Sequence, residues 1–425
     1  MQRGLAASTL ALCAVVGAVY PASAQEVMTV NEFVTRALAD NPDMRAVRLE
    51  VEAAEGRLRQ AGLRPNPMLE LGGQKAISPD SNLNVGVTVP LDLNGRKEGR
   101  VGVAEREVDM KRALARDRER RLRAEVRMKA GDLLAAQRNL RVTEELLSVN
   151  REALALLGER VRQGATPPLE ESLLQVEVNR LDASQKLLVG RVDVFTTQLK
   201  ALAGMEPDES LVLRGELAGP PLSVDHSLAV REAFTARADL EATRAEAAMA
   251  TAQIRKEQAE GRWDASINVG YQRQNFGFNL NGLTSSGALR PIQDVFHYFG
   301  GGVSITLPVW NRNQGNIAAA QAAARAAERR VDAAALAVRQ EVQSALFQYE
   351  AAQRSLRVYE RGVRDTAHHN LDVVRQTYQL GRTTLLDVIA EQRRFIDVEN
   401  GYTEALKQVY DAMVDVQRAT GSAER

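Results

Sequence analysis

The chain has 425 residues, and its 55 lysine and arginine residues are balanced by 55 aspartate and glutamate residues, so the formal net charge is zero. This balance gives no reason to expect nucleic acid as a partner. Only 4% of the residues are aromatic while alanine and arginine are abundant, which favours helices over sheets.

The N-terminus predicts a secretory signal peptide over residues 1–24. A positive charge at Arg3 precedes an apolar run, and Ala22-Ser23-Ala24 resembles a small-residue cleavage site. A membrane anchor is the alternative, but the run is short for a membrane span. Lipid attachment at Cys13, the only cysteine, is a second alternative, although Leu12 stands where a small residue is expected. After cleavage the chain would carry no disulfide and no thiolate metal site.

The first half of the mature chain, residues 25–204, predicts helices around one β-hairpin. Arg64-Pro65-Asn66-Pro67 ends a helical segment, and apolar residues then alternate with polar ones, as in a strand with one apolar face. We expect strands over about 68–75 and 84–93. The stretch that follows contains no proline until its Gly-Pro turn, and its leucines repeat at steps of seven. This spacing predicts a long helical hairpin over 96–203.

The same plan then recurs after a proline-containing linker at 205–225. The second copy occupies 226–421. Its alternating segments predict strands over about 265–272 and 302–309, joined by a loop rich in glycine, asparagine and phenylalanine. A second helical hairpin is expected over 311–420. The sequence therefore predicts a duplicated unit of helix, β-hairpin, long helix and returning helix.

The second helical hairpin has the clearest periodicity. Across residues 331–363, apolar side chains recur at alternating steps of four and three, which places them on one stripe of an α-helix. No proline follows Pro308, so nothing prevents a very long helix. The one predicted break is at Gly381, which can adopt the left-handed conformation that ends a helix. Thr383 or Thr384 can then cap the next helix.

The β-hairpins suggest a membrane part. Alternating strands of 8 to 10 residues suit an outer-membrane barrel, and eight of the 19 aromatic residues fall in 263–310, as in an interfacial girdle. A soluble hairpin cap is the alternative. No segment after the N-terminus offers the roughly 20 apolar residues of a membrane helix. Because four strands cannot close a barrel and open edges cannot lie in lipid, the membrane interpretation requires an oligomer.

No group of residues predicts catalysis, a metal site or a cofactor. His368 and His369 point about 100° apart on a helix, so they cannot both bind one metal without a third element. No glycine-rich loop between a strand and a helix would hold phosphate. The arginines of 116–127 alternate with acidic residues, which is typical of a solvated coiled-coil face rather than a nucleic-acid site. We therefore predict that the protein is not an enzyme.

The two helical turns carry acidic residues at equivalent positions. Glu170 and Asp387 each follow a turn glycine, Gly164 and Gly381, by six residues. In a ring of identical chains these carboxylates would form a collar, which favours cations and whose members repel one another. The alternative is that they are ordinary acidic residues in a first helical turn, where the helix dipole favours them.

Together these features resemble the TolC-like outer-membrane factor family over essentially the whole mature sequence. The duplication and the turn segments 164–170 and 378–389 carry the resemblance, and 65–67 and 90–97 are similar to its heavy-metal cation-efflux branch. The resemblance implies a mainly α fold with a membrane β-barrel part. In the outer membrane of a Gram-negative bacterium, a homotrimer would form a 12-stranded barrel continuous with an α-helical barrel across the periplasm. It also implies two partners, a periplasmic adaptor and an inner-membrane resistance-nodulation-division pump.

The resemblance also suggests roles for individual residues. By position, Asp387 matches an aspartate of the family's periplasmic aperture, and Tyr378 matches a tyrosine that helps to hold the aperture closed. Ala390 stands where the family has a second ring aspartate, and the nearest acidic residue, Glu391, lies one residue further on. The predicted gate consists of Asp387, Glu170, Tyr378 and Glu391. The turns expected to contact the adaptor include Gly164, Thr166, Gly381, Thr383 and Thr384.

The resemblance thus implies a passive exit duct of a tripartite efflux pump, with heavy-metal cations as its substrate. One alternative is a duct of the same architecture for type I protein secretion or drug efflux. A second alternative, from a different class, is a soluble periplasmic coiled-coil scaffold.

Overall fold

The computed structural model describes residues 26–77, 80–219, 222 and 225–422. The predicted signal peptide and Cys13 lie outside these residues. The described chain is mainly helical, and the order of two helices, two strands, a long helix and a returning helix occurs twice. The first repeat contains β1 (Glu26–Thr29), α1 (Val30–Asp40), α2 (Pro42–Ala61), β2 (Met68–Lys75), β3 (Ser81–Pro90), α3 (Arg96–Arg162), α4 (Pro168–Leu202) and β4 (Leu211–Arg214). The second contains α5 (His226–Ala236), α6 (Ala238–Glu260), β5 (Asp264–Leu283), β6 (Leu289–Thr306), α7 (Gln314–Val358), a π-helical segment (Tyr359–Val363), α8 (Arg364–Gln379) and α9 (Leu385–Thr420).

Helix α3 is the longest element, and the other long helices are arranged around it. Its 67 residues correspond to roughly 100 Å at 1.5 Å per residue. Helices α2, α4, α6 and α9 all pack against it. The end of α4 meets the start of α2, because the Asn41 side-chain amide donates a hydrogen bond to the Leu202 carbonyl at 2.9 Å. Two shorter helices placed end to end therefore flank one continuous helix. None of the helices in these described ranges is long and apolar enough to cross a membrane.

The hydrophobic core follows the helical region in several clusters. The largest joins α1, α3, α4 and α9, where Phe33, Leu122 and Leu199 are completely buried. A second joins α5, α7 and α9 around the buried stripe residues Val342 and Tyr349. Smaller clusters continue toward the helical turns. The short strands β1 and β4 pair in parallel and connect the start of the first repeat to the chain that follows α4.

The remaining strands form one antiparallel sheet in the order β2-β3-β5-β6. In register, Val85 on β3 lies opposite Leu71 on β2 and Tyr271 on β5, and Tyr271 lies opposite Phe299 on β6. Because side chains alternate between the two faces of a strand, these residues share one face, which is apolar. The sheet is open in the single chain, with β2 and β6 at its edges.

The strands of the second hairpin are longer than the sequence analysis predicted. The expected bounds were about 265–272 and 302–309, but β5 and β6 occupy 264–283 and 289–306. The stretch rich in glycine, asparagine and phenylalanine is paired strand rather than loop, interrupted by a bulge between Gly277 and Asn281. Backbone hydrogen bonds of a ladder do not require the apolar alternation on which the prediction depended.

The second strand of the first hairpin ends earlier than predicted. Its expected span was about 84–93, whereas β3 ends at Pro90. Beyond this proline, Asp92 and Asn94 adopt positive φ angles of 48° and 62°, which turn the chain out of the extended conformation. Arg100 fixes this turn, because its Nη2 lies 2.7 Å from Asp92 Oδ2.

The prediction of a single break in the last hairpin is incomplete. The helix is interrupted at Gly381 and also by the π-helical segment Tyr359–Val363, in which Gly362 has a φ angle of 134°. Glycine alone adopts such an angle readily. The segment packs closely on α9, since a Cβ added to Gly401 would lie 2.6 Å from the Tyr359 hydroxyl. The apolar spacing gave no sign of this break.

Candidate functional site

The candidate site is built on the two tight turns at the ends of the helical hairpins. Gly164 and Gly381 have φ angles of 72° and 69°, the left-handed conformation that glycine adopts without steric cost. After Gly381, the Arg382 amide donates back to the Thr377 carbonyl at 3.0 Å, and the Ala165 amide does the same to Arg160 at 2.9 Å. Both turns therefore close by the same helix-ending geometry, and the next helix starts within a few residues.

Asp387 lies in the first turn of α9 and forms a capping box with Thr384. The Asp387 carboxylate accepts from the Thr384 hydroxyl at 2.7 Å and from its amide at 2.9 Å, while the Asp387 amide donates to the Thr384 hydroxyl at 3.3 Å. The backbone hydrogen bond, followed by the hydroxyl, lowers the pKa of Asp387 below its ordinary value of 3.8. The side chain is exposed. Asp387 is therefore an ionised carboxylate at the tip that also starts its own helix.

Tyr378 and Glu170 are brought together across the two hairpins. The Tyr378 hydroxyl donates a hydrogen bond of 2.6 Å to Glu170 Oε2, although the residues are 208 positions apart in sequence. Burial and then the hydrogen bond to Glu170 raise the pKa of Tyr378 to about 12. The hydroxyl therefore stays protonated at physiological pH, and the bond links α8 to the first turn of α4.

The hydrogen bond lies beside a small apolar cluster that joins the two hairpins. Leu157 on α3 and Leu174 on α4 pack with Leu385 and Ile389 on α9, and all four are at most 6% exposed. Tyr378 packs against this cluster. The polar contact between the hairpins is thus supported by buried carbon atoms on both sides, which fixes the direction of the Tyr378 ring.

The other predicted gate and turn residues are not part of this contact. Glu391 is 8% exposed and binds Arg394 of its own helix at 3.1 Å, so it does not add a second exposed carboxylate beside Asp387. Thr384, rather than Thr383, caps α9. The Thr383 hydroxyl is buried without a hydrogen-bond partner among the described residues. Thr166 lies in the first turn and makes no cap, because Pro167 precedes α4.

Two buried carboxylates, one on α4 and one on α9, were not predicted. Glu177 on α4 is 1% exposed and is bound by Arg180 of the same helix and by Arg393 of α9, at 2.6 and 2.9 Å. Burial alone would raise the pKa of Glu177, but the hydrogen bonds from Arg180 and then Arg393 hold it below its ordinary value of 4.5. The only sequence signal was a charge beside the apolar stripe of α4.

The second buried carboxylate is Glu399, which is 3% exposed on α9. Arg364 binds it at 2.6 Å and Arg138, from α3, at 3.1 Å. Both guanidinium groups also lie 5.1 Å from the centre of the Tyr402 ring. This arrangement joins three helices next to the π-helical segment. Its partners are too far apart in sequence for any spacing rule to pair them.

The described residues contain no group of three His, Cys, Asp or Glu side chains placed to hold a metal ion. His368 instead pairs with Asp372 of its own helix at 3.1 Å. The site therefore acts through charge and hydrogen bonding at a helical tip. Each chain contributes one exposed carboxylate, Asp387, and one carboxylate, Glu170, that accepts a hydrogen bond from Tyr378.

Comparison with known proteins identifies the family that has this architecture. The family model described as outer membrane efflux protein matches residues 33–205 and 229–422, which are the two repeats. The chain belongs to the outer membrane efflux protein family. The predicted family is therefore confirmed, and the protein is an outer-membrane transport channel rather than an enzyme. A soluble periplasmic scaffold, the alternative from another class, is set aside.

Individual relatives are distant in sequence. The chain is 22% identical over 403 residues to the cobalt-zinc-cadmium resistance protein CzcC of Cupriavidus metallidurans, covering 95% of this chain and 92% of that protein. The crystal structure of CusC superposes with a TM-score of 0.73 at 16% identity, over 93% of this chain and 92% of that one. The open state of the MtrE outer membrane channel of Neisseria gonorrhoeae gives 0.72 at 19% identity, over 92% and 88%. These structures share the fold.

Proposed function

We propose that three copies of this chain form the outer-membrane exit duct of a tripartite efflux pump. In this arrangement the three sheets close into one 12-stranded barrel, and the helices continue it as a tunnel across the periplasm. Substrate moves passively through the duct, and the energy comes from an inner-membrane pump of the resistance-nodulation-division type, linked by a periplasmic adaptor. Membership of the outer membrane efflux protein family supports this arrangement.

The observation that carries the proposal is the four-stranded sheet. One face carries Leu69, Leu71, Val85, Val87, Val269 and Val303, several of them more than half exposed in the single chain. A monomer would leave this apolar face and both edges of the sheet in contact with water. Three copies joined edge to edge would pair every edge, and lipid would cover the apolar face. Trp263 and Trp310, which are 43% and 91% exposed at the base of the sheet, suit the membrane interface.

The proposed gate is the helical tip. In a trimer, three exposed Asp387 carboxylates would surround the periplasmic mouth and favour cations. The Tyr378–Glu170 hydrogen bond would hold the two hairpins of each chain together and so keep the mouth narrow. The turns around Gly164, Thr166 and Gly381 would contact the adaptor, which opens the mouth by moving the hairpins apart.

We propose divalent heavy-metal cations as the substrate class. The support is the full-length similarity to a protein named for cobalt, zinc and cadmium resistance. In this proposal the duct itself binds no metal. Specificity belongs to the pump, and the duct contributes only a preference for positive charge.

Two measurements test the duct. The purified mature protein should have the mass of a trimer in detergent and should give a small, cation-preferring conductance in a planar lipid bilayer. A well-folded protein that remains monomeric, or a trimer without conductance, would contradict the proposal. For the substrate, deletion of the gene should sensitise cells to cobalt, zinc or cadmium, and an unchanged tolerance to all three would contradict the metal assignment.

A further inference from the structure

The polar face of the sheet contains a row in which only one side chain projects. Glu70 on β2 is in register with Gly86 on β3, Gly86 with Gly270 on β5, and Gly270 with Gly300 on β6. Three of the four residues in this row therefore have no side chain. A Cβ added to Gly86 would lie 3.9 Å from Glu70 Oε2, so the carboxylate lies directly over the glycine.

The charges of the sheet are divided between its faces. We consider β2, β3 and the paired segments 264–276 and 294–306. By alternation from Glu70, the polar face of these described strands carries the acidic residues Asp264, Glu70 and Asp294 and no basic residue. The basic residues Lys75 and Arg273 occupy odd positions and belong to the opposite face. Glu70 also lies among the residues that line a shallow depression of 840 Å³ in this sheet, to which residues of both faces contribute.

Glu70 is the one acidic residue at mid-height of this face without a compensating contact. Asp264, at the base, pairs with Arg96 at 3.3 Å. Asp294, toward the other end, accepts a hydrogen bond from the Val295 amide at 2.8 Å. Glu70 makes neither an ion pair nor a hydrogen bond with any residue that the structure describes, and its side chain is exposed.

We infer that Glu70 is a charge-selectivity residue of the barrel, separate from the acidic residues at the helical tip. The inference rests on the proposed trimeric duct. When the polar faces surround the lumen and the apolar faces meet lipid, three Glu70 carboxylates lie at one level, and within each chain the neighbouring positions in register are glycine. Within each chain, no side chain of the same register row shields or neutralises the Glu70 carboxylate. This belt of three carboxylates raises the local concentration of cations and lowers that of anions in the outer part of the duct.

The size of the effect follows from simple electrostatics. In a barrel of this strand number the carboxylates lie roughly 10 Å from the axis. In water with about 0.1 M salt, three such charges change the concentration of each ion sign about twofold on the axis. The potassium-to-chloride permeability ratio should therefore fall about fourfold when the three charges are removed. Charge reversal should lower it by about the square of that factor.

The first test is the reversal potential of the purified trimer in a potassium chloride gradient. Glu70→Gln, which keeps the shape, should lower the permeability ratio about fourfold, and Glu70→Lys should make the duct prefer chloride or remove its preference. Gln74→Glu, on the same strand and face, is the matched gain-of-charge control and should raise the ratio. A conducting trimer whose ratio is the same in Glu70→Gln and Glu70→Lys as in the wild type would overturn the inference but leave the duct intact.

A thiol test asks which face Glu70 occupies. The sequence has one cysteine, Cys13, which lies in the predicted signal peptide, and Cys13→Ala also removes the thiol from any uncleaved chain. In Glu70→Cys, a negatively charged methanethiosulfonate should restore the permeability ratio, because the thiolate displaces sulfinate and forms a disulfide that carries the new charge. A positively charged reagent should lower the ratio. The same reagents should leave Leu71→Cys, on the apolar face, unchanged. Modification of Leu71→Cys but not Glu70→Cys would overturn the inference. A wild-type protein that forms no channel would overturn the proposed duct as well.

Discussion

Replacing Tyr378 with phenylalanine tests how the two hairpins are held together. Tyr378→Phe keeps the ring against Leu385 and Ile389 but removes the hydroxyl that donates to Glu170 at 2.6 Å. A hydrogen bond to a charged group contributes about 1.5–3 kcal/mol. We take the lower value, about 1.5 kcal/mol, because water can hydrate the half-buried Glu170 carboxylate when the bond is lost. That energy corresponds to a roughly tenfold shift toward the open tip for each chain.

The trimer makes this prediction more informative. If each tip opens independently, Tyr378→Phe should raise the occupancy of small open sublevels about tenfold. If the three tips open together, the three losses add, and the fully open state should gain roughly a thousandfold. Single-channel recording of the purified protein in a planar bilayer separates the two cases. Because the pKa of Tyr378 is about 12, neither result should depend on pH between about 6 and 9.

The matched control is Tyr402→Phe. This change also removes one hydroxyl from a packed tyrosine, but the ring between Arg138 and Arg364 remains. It should leave the open probability unchanged. If Tyr378→Phe gives the same open probability and sublevels as the wild type and the control, the hydrogen bond does not hold the tip closed.

Three further predictions follow from the same contacts. Asp387→Gln should lower the cation preference and leave the helix intact, because glutamine can complete the capping box. Thr384→Ala should weaken the start of α9 but keep the charge of Asp387. An equal loss of cation preference in both variants would contradict a role for the charge. Glu177→Gln should destabilise the protein by about 1–3 kcal/mol at pH 7. Since the folded pKa of Glu177 is below 4.5, this contribution is present above about pH 4.5 and is lost as the pH falls further, so wild type and variant should converge in acid, which thermal melts at several pH values would show. Gly362→Ala should lower the free energy of unfolding by about 1–3 kcal/mol, because residues with a side chain rarely adopt a φ of 134°. Gly190→Ala, in open space on α4, should raise it by about 0.5–1 kcal/mol. Circular dichroism melts that rank the two variants the other way would contradict this.

The elements that the sequence predicted well depend on local rules. Alternation around Val85 and Val87 predicted strands, and the glycine of each turn predicted where each helix ends. The seven-residue spacing of leucines predicted a long α3. In each case a few neighbouring residues determine the outcome through backbone sterics or through one exposed and one buried face.

The contacts within the candidate site were not predictable in the same way. Tyr378 and Glu170 were both expected at the gate, but nothing in the sequence paired them, because they are 208 positions apart. Glu177 and Arg393 are separated by 216 positions. Periodicity shows which face of a helix is buried but not which helix covers it. The extra length of β5 and β6 was missed because backbone pairing tolerates side chains that resemble a loop.

The π-helical segment explains why the apolar stripe of α7 cannot simply be extended to the tip. Continued at steps of four and three, the stripe would place residues 366 and 370 in the core, yet Ala367 and Leu371 are the buried ones. The kink at Gly362 breaks the helical repeat within this segment, and the buried face beyond it is displaced by one position. Counting seven further from Leu371 gives Tyr378. The phase of the helix at the tip, and therefore the identity of the residue that meets Glu170, is set about four turns away by this displacement of one position.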